Sequence, residues 1–433
     1  MPGPLRFEKR LIADERYESA GVFDVNNDGH LDIVSGAYWY PGPDFAKKHK
    51  IGEVPPVGEY FDDFSTIPLD INGDGYLDFI TGGWWGNNLR WRENPKGDPS
   101  KEWPEHVIAE TGNVETTLAY DIDGDGENEI IPNTPGHPQR IFKLIRDKQG
   151  LGTGKFLDVA VMDGPSGHGI GFGDINGDGR PDIVLAKGWL EAPKDPFKGK
   201  WKWHPEFDLG SASCPVLVVD VNGDGLNDII VGGAHAYGLC WWEQRVVGGK
   251  RTWTKHPIDP FNSQYHDMKW VDIDGDGVPE LVTGKRYRAH CGRDPGEDDP
   301  VGIYYFKWTG ENFAKQVIDY GPARQGTGTG IQFVVTDIDG DGECELVTGK
   351  RYRAHGDNDP GAADDVGIYY FKWNGESFSK QVIDYGPPRV ATGCGIHFAV
   401  ADLAGSGRLD IVAPGKDGLY LFRNLGIAEG RGC

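Results

Sequence analysis

One nine-residue pattern of acidic and amide side chains, Asp-x-Asp/Asn-x-Asp-Gly-x-x-Asp/Glu, recurs along the whole chain. Seven copies carry side-chain oxygens at positions one, three, five and nine, and a tight Gly-assisted turn would gather these oxygens around one point. Calcium accepts about six to eight such oxygens. The alternative is that Asp-Gly forms hairpin turns without an ion. Because three like charges within nine residues repel one another, we predict Ca²⁺ or a similar hard cation in these seven loops.

The predicted ligands, in chain order, are Asp24, Asn26, Asp28 and Asp32; Asp70, Asn72, Asp74 and Asp78; Asp121, Asp123, Asp125 and Glu129; Asp174, Asn176, Asp178 and Asp182; Asp220, Asn222, Asp224 and Asp228; Asp272, Asp274, Asp276 and Glu280; and Asp337, Asp339, Asp341 and Glu345. An eighth copy starts at Asp402 but has Ala404 and Ser406 at positions three and five. We therefore expect the eighth copy to be a turn without an ion.

The net charge of −23 is concentrated in these repeats. The eight copies contain 28 acids and two arginines, which leaves 42 bases and 39 acids elsewhere, a balance of +3. A chain of this charge is not expected to bind nucleic acid or an anionic membrane unaided. No apolar run approaches the roughly 20 residues that a membrane-spanning helix needs.

The spacing of the copies predicts the fold class. They start 46, 51, 53, 46, 52, 65 and 65 residues apart, and each interval holds four short strand-like runs. Such periods are typical of β-propellers. We predict an all-β chain, residues 1–433, that forms a single propeller of eight four-stranded blades, with seven blades as the alternative. The N-terminal run LRFEKRLI would supply the last blade's missing strand and close the ring.

With these motifs and this period, nearly the whole chain resembles the FG-GAP/VCBS repeat propellers. That resemblance implies the propeller fold and calcium loops. It does not imply one function, because these propellers occur in adhesion proteins, polysaccharide lyases and larger enzymes.

Histidines recur on the face opposite the predicted calcium loops. His168 and His266 stand six residues before a motif start and His397 stands five before one, so all three immediately precede innermost strands. Innermost strands converge on the ring axis, and three imidazoles with an open fourth position suit a catalytic zinc ion or another divalent transition metal. The alternative is that each histidine is an ordinary hydrogen-bonded rim residue.

The sixth and seventh repeats share a basic loop on that face. Gly284–Pro322 and Gly349–Pro387 are identical at 30 of 39 positions, and both begin GKRYRAH. We expect the two copies of this loop to form one wall of a functional site on the histidine face. The alternative is a recent duplication with solvated, charged loops. The predicted catalytic residues are His235, Tyr265, Lys285, Arg288, His290, Lys350 and His355. Tryptophans in the neighbouring loops, Trp39, Trp84, Trp85 and Trp189, could stack on sugar rings or simply pack the blades.

The segments GIHFAVADLAG and YHDMKWVDIDGDG are similar to the propeller domain of the fungal aldos-2-ulose dehydratases. This resemblance implies zinc held by propeller histidines and elimination of water from a keto-sugar. The cupin and lectin-like regions of those enzymes have no counterpart here, so the later isomerisation is not expected.

We therefore expect a metal-dependent lyase acting on an oxo-sugar. A calcium-dependent propeller that binds glycans or proteins without catalysis, and a polysaccharide lyase acting on uronates, are the alternatives. The sequence leaves the oligomeric state open. The N-terminus has no apolar signal core, which predicts a cytoplasmic protein or an exported one whose signal has been removed.

Overall fold

The structure is a computed structural model that describes residues 4–288, 293–351, 353 and 356–427. Within these residues all of the regular secondary structure is β-strand. Eight four-stranded antiparallel sheets form the blades of a propeller. The prediction of eight blades is confirmed. No helix in the described part of the chain is long and apolar enough to cross a membrane.

The strands follow one another along the chain. Strand β1 is Leu5–Ala13. The first blade has β2 (Gly21–Phe23), β3 (Asp32–Ser35), β4 (Tyr38–Tyr40) and β5 (His49–Lys50), and a hairpin of β6 (Pro56–Val57) and β7 (Tyr60–Phe61) follows it. The second has β8 (Ile67–Leu69), β9 (Asp78–Gly82), β10 (Asn88–Arg92) and β11 (Glu105–Glu110). The third has β12 (Thr116–Tyr120), β13 (Glu129–Asn133), β14 (Pro138–Arg146) and β15 (Gly152–Pro165). The fourth has β16 (Ile170–Gly173), β17 (Asp182–Leu185), β18 (Gly188–Glu191) and β19 (Lys202–His204).

The fifth blade has β20 (Leu217–Val219), β21 (Asp228–Gly232), β22 (Tyr237–Val247) and β23 (Lys250–Ser263). The sixth has β24 (Tyr265–Val271), β25 (Glu280–Lys285), β26 (Val301–Trp308) and β27 (Phe313–Gly321). The seventh has β28 (Val334–Thr336), β29 (Glu345–Gly349), β30 (Val366–Trp373) and β31 (Phe378–Gly386). The eighth has β32 (Ala399–Ala401), β33 (Asp410–Gly415) and β34 (Gly418–Ile427).

The ring is closed by the N-terminus, as predicted. β1 pairs antiparallel with β34, with Lys9 opposite Phe422 and Leu11 opposite Tyr420, so it forms the outermost strand of the eighth blade. The innermost strand β2 contacts both β8 and β32, which joins the first blade to the last.

The hydrophobic core lies between neighbouring blades. The second strand of every blade is buried along its whole length, as in DIVS of β3 and DIIVG of β21, because a blade covers it on each face. One interface, for example, packs Ile131 and Ile141 of the third blade against Ile183 and Leu190 of the fourth. The outermost strands instead alternate between exposed and covered residues, as β1 does.

Candidate functional site

A pocket of about 490 Å³ lies at the ring axis, at the end where the innermost strands begin. Its lining includes seven of the eight residues that stand six positions before a motif start, namely Phe64, Glu115, His168, Cys214, His266, Ile331 and Ile396. The calcium-type loops connect the other ends of these strands, so the pocket opens on the opposite face. The innermost strands of the blades lie around this axis, which is why residues far apart in sequence meet here.

Three histidines meet within this pocket. Ring nitrogens of His168, His235 and His266 lie within 4.8 Å of one another. The Nε2 atoms of His168 and His235 are 3.2 Å apart, and the His168 and His266 rings are 5.5 Å apart between centroids. Glu115 joins them, with Oε1 3.5 Å from His168 Nε2 and 3.9 Å from His266 Nε2.

Oxygen atoms behind the cluster orient two of its rings. His168 Nδ1 is 2.7 Å from the Ala212 carbonyl oxygen, and His235 Nδ1 is 2.8 Å from Asp294 Oδ2. When Nδ1–H donates to such an oxygen, the lone pair is left on Nε2, the atom that faces the other histidines. This arrangement of an outer acceptor, an imidazole and an inward Nε2 is typical of metal-binding histidines.

Burial and the neighbouring groups act in opposite directions on the pKa of Glu115. Burial alone would raise the pKa of Glu115, but its interaction with His168 and the charge of Arg286 lower it below its usual value. The cluster therefore offers three imidazole nitrogens and one carboxylate, a donor set that suits zinc and similar transition metals.

The structure brings together only part of the predicted zinc set. His168 and His266 belong to the cluster, and its third histidine is His235, which is among the predicted catalytic residues rather than the predicted zinc ligands. His397 lines the same pocket but lies outside the cluster, and its Nδ1 is 3.2 Å from Gln332 Oε1. The similar offsets of His168, His266 and His397 indicated one rim, and all three line the pocket, but His235 reaches the cluster from a loop between second and third strands.

Four other predicted catalytic residues lie outside the pocket. Tyr265 is fully buried and donates its hydroxyl to Asp259 Oδ2 at 2.7 Å. Lys285 donates to Gln264 Oε1 at 3.1 Å, and Lys350 donates to the Arg324 and Asp365 carbonyl oxygens.

Arg288, the fourth, forms an ion pair with Asp298 at 2.7 Å. Burial lowers the pKa of Lys285 and of Lys350 to about 8, yet neither lines the pocket. The predicted residues His290 and His355 lie outside the described residues.

The arginines next to those lysines face the pocket instead. Arg286 and Arg351 both line it, because successive side chains of an extended segment point to opposite sides. Arg351 is paired with Glu18, whose oxygens are 2.9 and 3.2 Å from Nε and Nη2. Arg286 is only 5% exposed, and its Nε and Nη2 have no hydrogen-bond partner among the described residues, although Nη2 lies 3.9 Å from Asp294 Oδ2. Burial lowers the pKa of Arg286 to about 10, and the nearby Arg351 adds to this effect.

An aromatic wall borders the pocket on the side of the second blade. Tyr60, Phe64, Trp84 and Trp85 line it, with the Tyr60 and Trp85 rings 4.8 Å apart. The other two predicted tryptophans do not contribute. Trp39 and Trp189 are buried between blades, and Trp189 stacks on His204 at 4.1 Å.

The nine-residue loops share one backbone geometry. In the fourth loop, the Asp174 carboxylate accepts backbone N–H bonds from Gly177, Asp178 and Gly179. The two glycines have φ of 76° and 83°, a left-handed conformation in which a Cβ would be strained. The turn therefore favours glycine at both positions, although Asn27 adopts a φ of 58° at the first of them in the first loop, and it gathers the side chains of positions one, three and five around one point.

A family model described as an FG-GAP-like repeat matches residues 70–131 and 220–283, which include the second, third, fifth and sixth of these loops. The chain carries FG-GAP-like repeats. The integrin alpha pat-2 of Caenorhabditis elegans is 24% identical over 214 residues, which cover 39% of this chain. The match spans only 17% of that protein's length.

Two solved structures align with most of this chain. One is a lectin of Agrocybe aegerita described as specifically recognising non-reducing terminal N-acetylglucosamine, with 14% identity, a TM-score of 0.44, and coverage of 88% of this chain and 94% of that one. The other is the V. cholerae biofilm matrix protein Bap1, with 12% identity, a TM-score of 0.45, and coverage of 97% and 91%.

The FG-GAP loops and the pocket cluster thus offer two kinds of metal-binding group. Acidic groups in the third, sixth and seventh loops have carboxylate oxygens within 4.8 Å of one another, such as Asp121, Asp123 and Glu129. Oxygen donors suit hard cations, whereas the imidazoles of the pocket suit transition metals.

Proposed function

We propose that this propeller is a metal-dependent carbon–oxygen lyase that eliminates water or a glycosidic oxygen from an oxo-sugar. The observation that carries the proposal is the convergence of His168, His235, His266 and Glu115 at the base of a pocket with an aromatic wall. The donor set and the oriented Nε2 atoms fit zinc. When bound there, zinc would polarise the substrate's ketone and make the neighbouring C–H bond more acidic.

The chain's own groups would do the remaining work. Arg286 would hold the oxygen that becomes negative as the proton leaves, because its Nε–H and Nη2–H are buried in the pocket wall and make no hydrogen bond to any described residue. Such donors contribute most where water is excluded.

His397 would accept the proton. Burial lowers the pKa of His397 to about 4, with Lys269 as a lesser cause, so this imidazole is neutral at pH 7. The electron pair of the C–H bond then forms the new double bond as the bond from carbon to the β-oxygen breaks, and that oxygen takes the proton back from His397 to leave as water or an alcohol. Trp84 and Trp85 would stack on the sugar ring.

Metal content and elimination activity together test the proposal. The purified protein is expected to contain about one zinc per chain and to convert oxo-sugars to products that absorb in the ultraviolet. The variant His168→Ala/His235→Ala/His266→Ala is expected to lose both. His397→Asn should keep the metal and lose activity, whereas His256→Ala, which removes an imidazole outside the pocket, should keep both.

A wild-type protein without a transition metal, or a triple variant that retains metal and activity, would overturn the proposal. The second candidate is a propeller that binds glycans without catalysis, and the exposed ring of Trp84 favours it. It predicts saturable glycan binding that is lost in Trp84→Ala/Trp85→Ala, with no absorbing product from oxo-sugars or from uronate polymers.

A further inference from the structure

The seven predicted calcium loops fall into two groups that differ at three positions. The third, sixth and seventh loops start at Asp121, Asp272 and Asp337 and have Asp at position three and Glu at position nine. We call these the lysine loops. The first, second, fourth and fifth loops start at Asp24, Asp70, Asp174 and Asp220 and have Asn at position three and Asp at position nine. We call these the asparagine loops.

The third difference lies on the neighbouring third strand. In the lysine loops, the residue after position nine pairs with a phenylalanine that is followed by lysine, as Ile130 pairs with Phe142 before Lys143. The other two lysines are Lys307 and Lys372. At the same register the asparagine loops face Pro41, Glu93, Glu191 and Glu243.

Each of these lysines places its ammonium inside its loop. Lys143 Nζ lies 2.6 Å from Asp123, 2.6 Å from Asp125 and 3.0 Å from Glu129, the ligands at positions three, five and nine. Lys307 lies 2.6, 2.6 and 3.4 Å from the equivalent groups of the sixth loop, and Lys372 lies 2.5, 2.6 and 3.1 Å from those of the seventh. An ammonium has three N–H donors, so it matches these three carboxylates one to one.

Position nine explains why glutamate accompanies lysine. In an asparagine loop, both oxygens of the aspartate accept backbone N–H groups, as Asp182 accepts from Ile175 and Ala192. In a lysine loop, Glu129 Oε2 accepts the equivalent N–H of Ile122, and Oε1 accepts from the lysine instead. Asp at position three, Glu at position nine and Lys on the third strand therefore form one linked substitution.

Cations near the asparagine loops do not fill them in this way. Arg180 contacts the single carboxylate of Asp178, and Lys96 lies 3.8 Å from Asp74 alone. The Asn side chain at position three donates to the carboxylate at position five, as Asn176 does to Asp178 at 2.9 Å. An amide can turn its oxygen towards an entering cation without leaving a buried charge behind.

We infer that the lysine loops use a built-in ammonium in place of a calcium ion and that the four asparagine loops are the calcium sites. The carboxylates of the lysine loops alone would suit a cation. A divalent ion at the same point would, however, have to displace the ammonium from the three carboxylates. The displaced lysine would still lie close to the ion, with a charge of the same sign. The inference rests on the proposal that the loops bind calcium at all, and the experiment separates the two.

The test is the number of calcium ions bound per chain at saturation, measured by elemental analysis after equilibrium dialysis. Four ions are expected for the wild-type protein. The variant Lys143→Met/Lys307→Met/Lys372→Met should bind seven, because Met keeps most of the side-chain volume and removes the charge. Lys9→Met is the matched control, since Lys9 pairs with Asp384 away from every loop, and it should bind four.

Seven ions in the wild-type protein would refute the lysine inference and leave calcium binding intact, whereas no calcium in any loop would refute both. Four ions in the triple variant would also refute the inference. If the triple variant does not fold, single substitutions in the wild-type protein test the inference instead. Asp74→Asn should reduce the number of bound calcium ions by one, and Asp125→Asn should not change it. Loss of an ion in Asp125→Asn would overturn the inference.

Discussion

Replacing Glu18 by Gln should destabilise the ring at the seam where its ends meet. Glu18 is 5% exposed and lies just before β2 of the first blade. Its carboxylate contacts Arg351 from the seventh blade at 2.9 Å and Lys416 from the eighth at 3.1 Å. Burial would raise the pKa of Glu18, but the charges of Arg351 and Lys416 lower it below its usual value, so the group is ionised at neutral pH.

The magnitude follows from what the substitution leaves behind. Glutamine removes the negative charge and leaves two cations with side-chain exposures of only 10% and 2%. Removing one partner of a buried ion pair costs about 3–5 kcal/mol. The unfolding entropy of a chain of 433 residues is roughly 0.9 kcal/mol per degree at about 2 cal/mol/K per residue, so the melting temperature should fall by about 3–6 °C.

Thermal denaturation of Glu18→Gln and Glu59→Gln, followed by circular dichroism at pH 7, measures the difference. Glu59 is the control because its side chain is 46% exposed and lies 3.6 Å from Arg16, a pair worth less than about 1 kcal/mol. Adding Arg351→Met to Glu18→Gln should recover part of the loss by removing a stranded charge. A Glu18→Gln protein as stable as the Glu59→Gln control would refute the reasoning.

Three further outcomes are expected. The pKa of His397 is about 4 in the fold against 6.5 unfolded, so the unfolded chain takes up the proton first. Stability should therefore fall by up to about 3 kcal/mol as the pH drops from about 6.5 to 4, and urea titrations should show a smaller fall in His397→Gln. Burial opposes the ionisation of Asp259, but hydrogen bonds from Lys315 and Tyr265 lower its pKa to about 2. Its contribution is complete above about pH 4 and is lost as the pH falls towards 2, so Asp259→Asn should be less stable at pH 7 and should lack this acid-dependent loss of about 2 kcal/mol. Arg286→Met should lower kcat by roughly 10²–10³ with the metal content unchanged, and unchanged kcat would remove Arg286 from the mechanism.

The fold could be predicted because its signals are local and repeated. Each Asp-Gly loop specifies a turn between two strands, and eight such turns at propeller spacing leave little freedom in the architecture. Ring closure was predictable for a similar reason, since β1 had no partner in the first blade and the last blade had only three strands of its own, ending with β34. Pairing of Lys9 with Phe422 satisfied both.

The pocket was only partly predictable because it depends on side-chain direction in irregular segments. Glu115 has the same offset as His168 and His266, but its residue type does not distinguish it among the 67 acidic residues of the chain. Lys285 and Arg286 are adjacent and both cationic, and the sequence does not show that β25 extends through Lys285 and turns it away from the axis. Asp294, which orients His235, lies in a long loop without a regular pattern.

The two groups of loops change the meaning of the chain's net charge. Seven calcium ions would raise the net charge from −23 to −9, but four raise it only to −15. The lysines of the other three loops are already counted among the 44 bases. Loops that share the same acidic motif then differ in how they respond to the removal of calcium. A chelator would strip the first, second, fourth and fifth blades of their ions, while Lys143, Lys307 and Lys372 would continue to bridge the carboxylates of the third, sixth and seventh. Hydrogen exchange in excess chelator should therefore increase at the asparagine loops and remain unchanged at the lysine loops, and equal increases at both would show that the ammonium ions do not substitute for calcium.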